Sequence, residues 1–582
     1  MTVKTKRPKS GNRQTEAATG PSTTPSQSSP SLLQNQTIGW SLLSAILIWA
    51  AFPPIGAWAL AWVAPYGWLR LIAMPQLQGK RTWLEIYFFG GCVHWLLMTW
   101  WVTLPHWTAA IGWLFLSAYL AVYVTGFIAL ARWLVHRAGL TTILAAPLAW
   151  VTMEVVRSYL FTGFALTPLS HSQVDFVSLI QISKYTGAYG VSFLVMLFAA
   201  TVEFSVREGW FVTDRKRLVP AGIVAVLVAA ICVWLNPPSM DSPTDGTAAA
   251  GTASKSANVA IIQASLDTTF PGDAKEMDRA FNQYLELSRH VTSQWRASGA
   301  DIDLVVWPES MFRMGIYTFE EELKNTSINS TGDTFSIWAE VNDVATAKTI
   351  RQIDTHCLVG TSSIHFKSAE GDGDRYNTAG FFGPDGSLIG AYNKMHPVMF
   401  GEYAPFGEYI PWVYNLMPIG SGLTPGKEPK AFKAGELNFA PNICFENTVP
   451  HLVRRQVCEL HQSGQEVNAL VTLTNDGWFW GSSLLDVHLA CGVFRAVEND
   501  RPMLIAANTG ISAEIDRFGR VKQKGPKRAA KVIVAQLRTA SESEPLSVYT
   551  QFGDWFPLAC LAICGVGLVV GGVRSGRAAR VN

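Results

Sequence analysis

Three side chains in the C-terminal half of the chain could together move an acyl group. Glu309 lies in DLVVWPES (303–310) just after its apolar residues, Lys394 closes NTAGFFGPDGSLIGAYNK (377–394), and Cys444 lies near the end of LNFAPNICFE (437–446). Each run reads as a buried strand. Strand ends are where loops hold reactive groups on a rigid base. A thiolate is a strong nucleophile, a carboxylate can take the thiol proton, and an ammonium can stabilise the oxyanion of a tetrahedral intermediate. Together they suit acyl transfer through a thioester. Sequence separation alone does not put the three in contact.

The elements that must position them are short apolar runs separated by helical stretches. NVAIIQASL (258–266), CLVGTSSIHF (357–366), ALVTLTNDGWFW (469–480) and RPMLIAANTG (501–510) read as further strands. The segment 377–394 is a hairpin with Asp385-Gly386 in its turn, and AEIDRFGRV (513–521) is a second, turned at Phe518-Gly519. Helical patterns fall at 273–298, 335–353, 448–463 and 483–499. Strands with intervening helices, then hairpins, predict a layered α/β sandwich over 257–545.

The rest of the chain is of another kind. Of 582 residues, 49% are hydrophobic and only 15% charged, against roughly 25% charged in soluble proteins. Lys and Arg number 46 and Asp and Glu 44, a net charge of +2, which argues against a dedicated nucleic-acid binder. Twenty-two Trp and 30 Phe suit a membrane protein with aromatic belts. Residues 1–36 are polar and read as a disordered tail. Apolar runs at 38–52, 56–75, 83–103, 110–134, 141–160, 190–206 and 218–236 mostly approach the ~20 residues that cross a bilayer. Pro53-Pro54 separates the first two. Residues 37–236 thus hold about seven spans, 237–256 a linker, and 552–573 one more span before a basic tail at 574–582.

Basic residues orient these spans. Arg70, Lys80, Arg81, Arg132, Arg137, Arg207, Arg215, Lys216, Arg217, Arg574, Arg577 and Arg580 share one side if there are eight spans. That side is cytoplasmic by the positive-inside rule, so both termini are inside and the α/β domain is outside. Arg157 and Lys184 are exceptions on the outer side.

V-W-P-E-S around Glu309, Y-N-K at 392–394 and I-C-F-E at 443–446 resemble the Glu-Lys-Cys signature of the nitrilase superfamily. H-P-V-M-F-G-E-Y (396–403), the eight spans, P-L-A-W-V-T-M-E-V-V-R (147–157), T-G-F (162–164) and QISKYTGAYGVSF (181–193) narrow the likeness. Over about residues 38–575 the chain resembles the bacterial apolipoprotein N-acyltransferases. The resemblance implies an α-helical polytopic membrane domain of eight spans in the bacterial inner membrane. It also implies a nitrilase-like α-β-β-α sandwich on the periplasmic face. It implies ping-pong transfer of an acyl chain from a phospholipid, commonly phosphatidylethanolamine. The acceptor is the α-amino group of the diacylglyceryl-cysteine of an apolipoprotein. By motif, Cys444 matches the nucleophile, Glu309 the general base, Lys394 the residue that stabilises the intermediate, and Glu402 and Glu446 supporting glutamates. The family often has Tyr after the nucleophile, where this chain has Phe445. Many members carry a Trp shortly after the Gln of the first strand. Here Gln263 is followed by Phe270, which is expected to fill that role. A second F-G-E-Y at 406–409 makes Glu408 a competitor of Glu402, and the spacing from Lys394 favours Glu402.

Other chemistry-bearing residues have plainer readings. The eight Cys are too scattered for a disulfide framework, and there is no metal-ligand spacing, so neither metal nor cofactor is expected. The run 475–480 is a turn with core Trp or, with Trp478, an apolar wall of the acyl site. Phe445 and Phe270 join that expected substrate surface. His396 and His488 are expected on a loop and a helix surface, and Arg157 to snorkel from a span end. A membrane-anchored amidase and a non-catalytic scaffold or transporter are the rival functions. The topology predicts that a reporter active only outside the cytoplasm gives signal when fused at residue 250 and none at residue 212; the opposite pattern inverts it.

Overall fold

The computed structural model describes residues 1–3, 30–77, 79–207, 219–238, 254–268, 273–327, 334–369, 372–405, 409, 422–540 and 545–581. In its first half the helices are α1 (Pro30–Ala51), α2 (Tyr66–Ala73), α3 (Lys80–Glu85), α4 (Val93–Met98), α5 (Ala109–Trp133), α6 (Thr142–Tyr159), α7 (Val177–Ile180), α8 (Ser183–Thr186), α9 (Ala188–Arg207) and α10 (Val219–Trp234). Among the described residues, three helices are long and apolar enough to cross a membrane: Ala109–Ala138, Ala188–Arg207 and Trp555–Arg577. Of the other expected spans, 38–52 and 218–236 form shorter apolar helices, 56–75 and 83–103 are broken, and 141–160 forms the unbroken α6, which carries Glu154 and Arg157. The run 56–75 folds as the 3-10 turn Trp58–Trp62 and then α2, because the chain turns at Tyr66 with Pro65 as helix cap. The run 83–103 is helical from α3 through the π segment Ile86–Cys92 to α4, then tightens into a 3-10 turn at Trp100–Thr103. Helix α1 begins at Pro30, inside the stretch expected to be disordered, and ends before Pro53-Pro54 as expected.

Basic side chains tie helix ends together. Arg132 donates to the carbonyls of Ile72 and Met74, and Arg574 to that of Ala138. Glu203, fully buried, pairs with Arg70 at 3.2 Å and with Arg207 at 3.5 Å. The helices leave apolar side chains facing outward, such as Ile223, Val226 and Val233 on α10.

The second half is the expected sandwich. One sheet has the order β13-β1-β2-β4-β5-β6 with β3 beside β4; the other runs β12-β11-β10-β9-β8-β7. The first-sheet strands are β1 (Ser254–Gln263), β2 (Leu304–Trp307), β3 (Ile316–Phe319), β4 (His356–Phe366), β5 (Gly373–Phe382) and β6 (Leu388–Asn393), closed by β13 (Lys531–Ala540). The second holds β7 (Phe432–Ala434), β8 (Leu437–Ile443), β9 (Ala469–Thr474), β10 (Met503–Ala507), β11 (Ala513–Ile515) and β12 (Val521–Lys524). Both expected hairpins form, as β5 with β6 and β11 with β12. β1 starts inside the stretch read as linker.

Alternation explains the layers, since successive strand residues point to opposite faces. Val259 and Ile261 of β1 meet Phe439 and Leu473 between the sheets. Ala260 and Ile262 meet Tyr284 and Val291 of α11 (Ala274–Ala297) on the outside, and α12 (Phe335–Ile350) adds Ile350 to that layer. Helices α13 (Pro450–Gln462) and α14 (Leu484–Asn499) cover the other sheet. Their Val453, Val493 and Phe494 belong to one apolar core that continues into the helices of the first half, with Leu179, Ile180 and Val195. After α15 (Val548–Phe552), helix α16 (Trp555–Val581) returns to that bundle.

Polar contacts lock the two halves. Glu498 of α14 accepts the N–H of Ala188 at the start of α9, 2.9 Å away. Asp500 pairs with Lys184 of α8 and with Arg517, each at 2.6 Å. Lys184 thus has a carboxylate partner. Arg157, 4% exposed, does not snorkel: it donates to Leu166 O at 3.1 Å and lies over the Trp95 ring. At the β11–β12 turn, Gly519 (φ +81°) approaches Ile180 so closely that a Cβ would stand 3.0 Å from its Cδ1.

Burial opposes the Asp500 charge, but Arg517 and Lys184 outweigh it and hold the carboxyl at about 2. A depressed carboxylate adds stability above its unfolded value of about 3.9 and loses it as pH falls through its folded value. The gain at neutral pH is about 2 kcal/mol. Asp500→Asn is therefore expected to unfold at lower temperature than the native chain at neutral pH. In calorimetry this difference should shrink between about pH 4 and about pH 2. A difference independent of pH would show that the ion pairs are not its source.

Candidate active site

Glu309, Lys394 and Cys444 come from three strand ends that the two sheets bring together. Glu309 follows β2, and its backbone lies against Gly360 of β4; a Cβ on Gly360 would stand 2.4 Å from the Glu309 Cα, so only glycine allows this approach. Lys394 follows β6, where its N–H bonds Asn377 O of β5 at 2.8 Å. Cys444 follows β8 with φ +53°, a left-handed conformation that costs a non-glycine residue energy and recurs at functional sites. It opens the 3-10 turn Cys444–Thr448.

Lys394 is 2% exposed, Glu309 6% and Glu402 9%. The ammonium lies 2.7 Å from Glu402 Oε1 and 3.6 Å from Glu309 Oε1. Asn377 Nδ2 donates to Glu309 Oε1 at 2.6 Å and to Glu402 Oε1 at 3.3 Å. The backbone N–H of Asn475 donates to Glu309 Oε2 at 2.9 Å, and that of Val398 to Glu402 Oε2 at 2.7 Å. Burial alone would depress the lysine, but Glu402 and Glu309 more than reverse this, and Lys394 stays protonated. The Cys444 thiol is pushed well up by burial and by Glu309, with Lys394 opposing and Asp476 adding to the rise. The resting Cys444 side chain is therefore a neutral thiol.

Glu446 is fully buried and does not contact the lysine directly. Its carboxylate accepts from Tyr392 OH at 2.9 Å, Met395 N at 2.7 Å, His396 N at 3.1 Å and Ile443 N at 2.7 Å. It joins the loop after Lys394 to the strand before Cys444, which suits orientation rather than proton transfer. Burial raises its pKa against the Ile443 N–H and Lys394.

The expected substrate surface is met in part. Phe445 stacks on His396, centroids 5.9 Å apart, and packs with Trp101, Leu166 and Leu484 where the sandwich meets the helices. Trp478 is half-buried, Trp480 is 52% exposed, and Phe479 joins the Phe445 cluster, so neither Trp is a core residue. Phe270 and Glu408 lie outside the described residues. His488 is buried, not on a helix surface, because it pairs with Asp476 at 2.8 Å. The sequence reading missed Asn377 and Asp476; both stand in ordinary strand and turn patterns, and only the fold aims them at the site.

Residues 44–201 match the family model for the apolipoprotein N-acyltransferase N-terminal domain, and residues 258–544 match carbon-nitrogen hydrolase. The apolipoprotein N-acyltransferase of Geobacter metallireducens is 30% identical over 538 residues, covering 90% of this chain and 92% of that one. The chain belongs to the apolipoprotein N-acyltransferase family. That of Rhodopirellula baltica is 28% identical over 569 residues, covering 90% of this chain and 95% of that one. The NitN amidase of Nesterenkonia sp. AN1 covers 51% of this chain and 95% of its own, at 15% identity and a TM-score of 0.33. The protein is thus an acyltransferase whose carbon-nitrogen hydrolase domain carries the three strand-end residues.

In this N-acyltransferase, Lys394→Met would remove the cation between two carboxylates. Left without the cation between them, the Glu309 and Glu402 carboxylates would repel each other. The loss of one oxyanion donor typically costs about 2.7–4 kcal/mol of barrier, roughly 10²–10³ in rate. Lipoprotein N-acylation by Lys394→Met should fall by that order, and Glu402→Gln should also slow it. Native turnover by Lys394→Met would place Lys394 outside the site.

Proposed function

We propose that Cys444 carries the acyl group between two membrane-held substrates, with Glu309 as its base and Lys394 as the oxyanion partner. The single observation that carries this reading is the buried lysine between Glu309 and Glu402, beside a thiol on a strained turn. In the first half-reaction the sulfur attacks a phospholipid ester carbonyl while Glu309 takes the thiol proton. The negative oxygen that forms is stabilised by the Lys394 ammonium. Collapse breaks the C–O bond, and Glu309 returns its proton to the departing lysophospholipid oxygen. In the second, the neutral α-amine of a diacylglyceryl-cysteine attacks the thioester and Glu309 takes its proton. The C–S bond then breaks and the thiolate regains that proton. Glu402, the nearer partner of Lys394, keeps the lysine charged and leaves Glu309 free to exchange its proton.

We further propose that the chain is a multi-pass protein of the bacterial inner membrane. In this reading the sandwich is on the periplasmic face and both termini are cytoplasmic. The three long apolar helices, the outward apolar faces of α10 and α16, and the basic residues at shared helix ends support it. Phosphatidylethanolamine is the proposed donor. Phe445 and the half-buried Trp478 are proposed to border the acyl chain.

Purified enzyme exposed briefly to acyl-labelled phosphatidylethanolamine should gain a hydroxylamine-sensitive label at Cys444, seen by mass spectrometry. It should lose the label on adding a diacylglyceryl-cysteine peptide. Cys444→Ala should show neither step. Label on another residue, or undiminished transfer by Cys444→Ala, would overturn the reading; release of free fatty acid without transfer would favour an amidase-like hydrolase.

A further inference from the structure

Where the sandwich meets the helix ends there is a pocket of 520 Å³ that the steps above do not use. Its size falls in the usual range of ligand pockets, about 300–1,000 Å³. The helix-side walls are the Pro53-Pro54 turn after α1 and Trp100, just past α4. The sandwich-side walls are Trp480 and Ser483, between β9 and α14, with Asp486 in the first turn of α14 and Lys527 between β12 and β13.

One wall separates this pocket from the neighbour of the nucleophile. Trp101, Phe479 and Leu484 belong to the apolar cluster of Phe445, which follows Cys444. Trp100, Trp480 and Ser483, each next to one of them in the chain, line the pocket. The inner rings of Trp101 and Phe479 pack edge to face with centroids 5.6 Å apart. The outer rings stay open, with Trp100 38% exposed and Trp480 52%. Trp480 (φ +49°) and Gly481 (φ +80°) are both left-handed. That backbone is costly for a Trp and recurs at ligand sites.

Among the described residues that line the pocket, Asp486 and Lys527 are the charged ones. Lys527 Nζ and Asp486 Oδ2 are 2.5 Å apart, and the side chains are 34% and 33% exposed. An ion pair that water reaches contributes little. A ligand bearing both charges can therefore part the two and give each a new partner. Lys527 is held ready for this exchange. Gln263 Nε2 donates to the carbonyls of Pro526 and Ala529, on either side of it, at 2.7 and 2.8 Å, and Arg528 N donates to Thr509 O at 3.1 Å. A backbone fixed in advance loses less freedom on binding. Open indole faces attract an ammonium.

We propose that this pocket is the subsite for the zwitterionic head group of the phospholipid donor, with Lys527 taking the phosphate and Asp486, flanked by Trp100 and Trp480, taking the ethanolamine ammonium. This rests on the reading that a phospholipid acylates Cys444. In the orientation proposed above, the ends of α1 and α4 are level with the lipid head groups, so the occupant is a lipid rather than a free phosphoryl compound. A single glycerol joins the head group of a phospholipid to its esters, and a single wall of side chains divides the pocket from Phe445. A head group held here sets where the ester lies. A donor without an ammonium is held by its phosphate alone.

The test compares acyl-labelled phosphatidylethanolamine with phosphatidylglycerol of the same chains on the full-length enzyme in detergent. The rate of Cys444 labelling is followed by mass spectrometry against lipid concentration. Native enzyme should prefer phosphatidylethanolamine. Asp486→Asn keeps the size of the side chain and removes the partner of the ammonium. Its preference should fall roughly tenfold, through the half-saturating concentration rather than the maximal rate. Trp480→Ala should lower the preference in the same direction. Lys527→Gln should raise the half-saturating concentration for both lipids, because both carry the phosphate. Exchanging the charges, Asp486→Lys with Lys527→Asp, keeps an ion pair. A pair that only braced the fold would be restored by the exchange, whereas a head-group site would stay impaired toward phosphatidylethanolamine. Equal use of the two lipids by native enzyme, a preference unchanged in Asp486→Asn or Trp480→Ala, Lys527→Gln that spares both lipids, or native behaviour of the exchanged pair would overturn the proposal. Trp480→Ala decides it if Asp486→Asn does not fold. Native enzyme that neither lipid labels at Cys444 would instead place the fault with the nucleophile reading.

Discussion

A lysine ammonium buried to 2% exposure is the constraint around which the site is built. A bare buried charge is very costly, and it is tolerated only with counter-charges and a full set of hydrogen bonds. Lys394 has two carboxylates, and they have Asn377, Val398 N and Asn475 N in turn. Each partner comes from a different strand end or loop, so the ion cluster can exist only when both sheets are in register. The unequal distances also divide the labour. Glu402 at 2.7 Å neutralises the lysine, and Glu309 at 3.6 Å is left as the weaker ion partner beside the thiol.

The same logic of buried polar groups fastens the sandwich to the helices. The apolar core runs without a break from the bundle into α13 and α14. Apolar contact is non-directional. Direction is supplied by Glu498 on the N–H of Ala188, by Asp500 between Lys184 and Arg517, and by Tyr159 on Asp554 at 2.6 Å. The contacts of Glu498 and Asp500 fix the sandwich on the helices from the α14 side, the side that also carries His488.

Much of the sandwich was legible in the residue pattern. The strands expected at 258–266 and 357–366 and the four helical stretches of 273–499 form close to where alternation and helical periodicity put them, and the run 469–480 is a strand only to Thr474. β13 was not legible. Its ten residues pair with β1 along their whole length. The strand was missed although Val532, Ile533 and Val534 follow the turn signal Gly525-Pro526, because the intervening Lys527 and Arg528 and the flanking Lys531 and Arg538 make the stretch read as polar. The apolar run 56–75 shows the opposite failure. Its composition suits a span, but it folds as two short pieces with Trp68, Leu69 and Ile72 buried against neighbouring helices.

By itself the sequence determined the reactive types, their placement at strand ends, the two-part architecture and the family, because these follow from local pattern and short motifs. Tertiary structure decided the distances. Glu402 rather than another carboxylate reaches the lysine because the loop after β6 turns back through Val398. Asn377, an ordinary residue of β5, faces the site because β5 pairs antiparallel with β4 and β6. His488, which periodicity left on a helix surface, is buried because α14 lies over the end of β9 and Asp476 waits there. Register between strands far apart in the chain is a long-range property, and no window of neighbouring residues contains it.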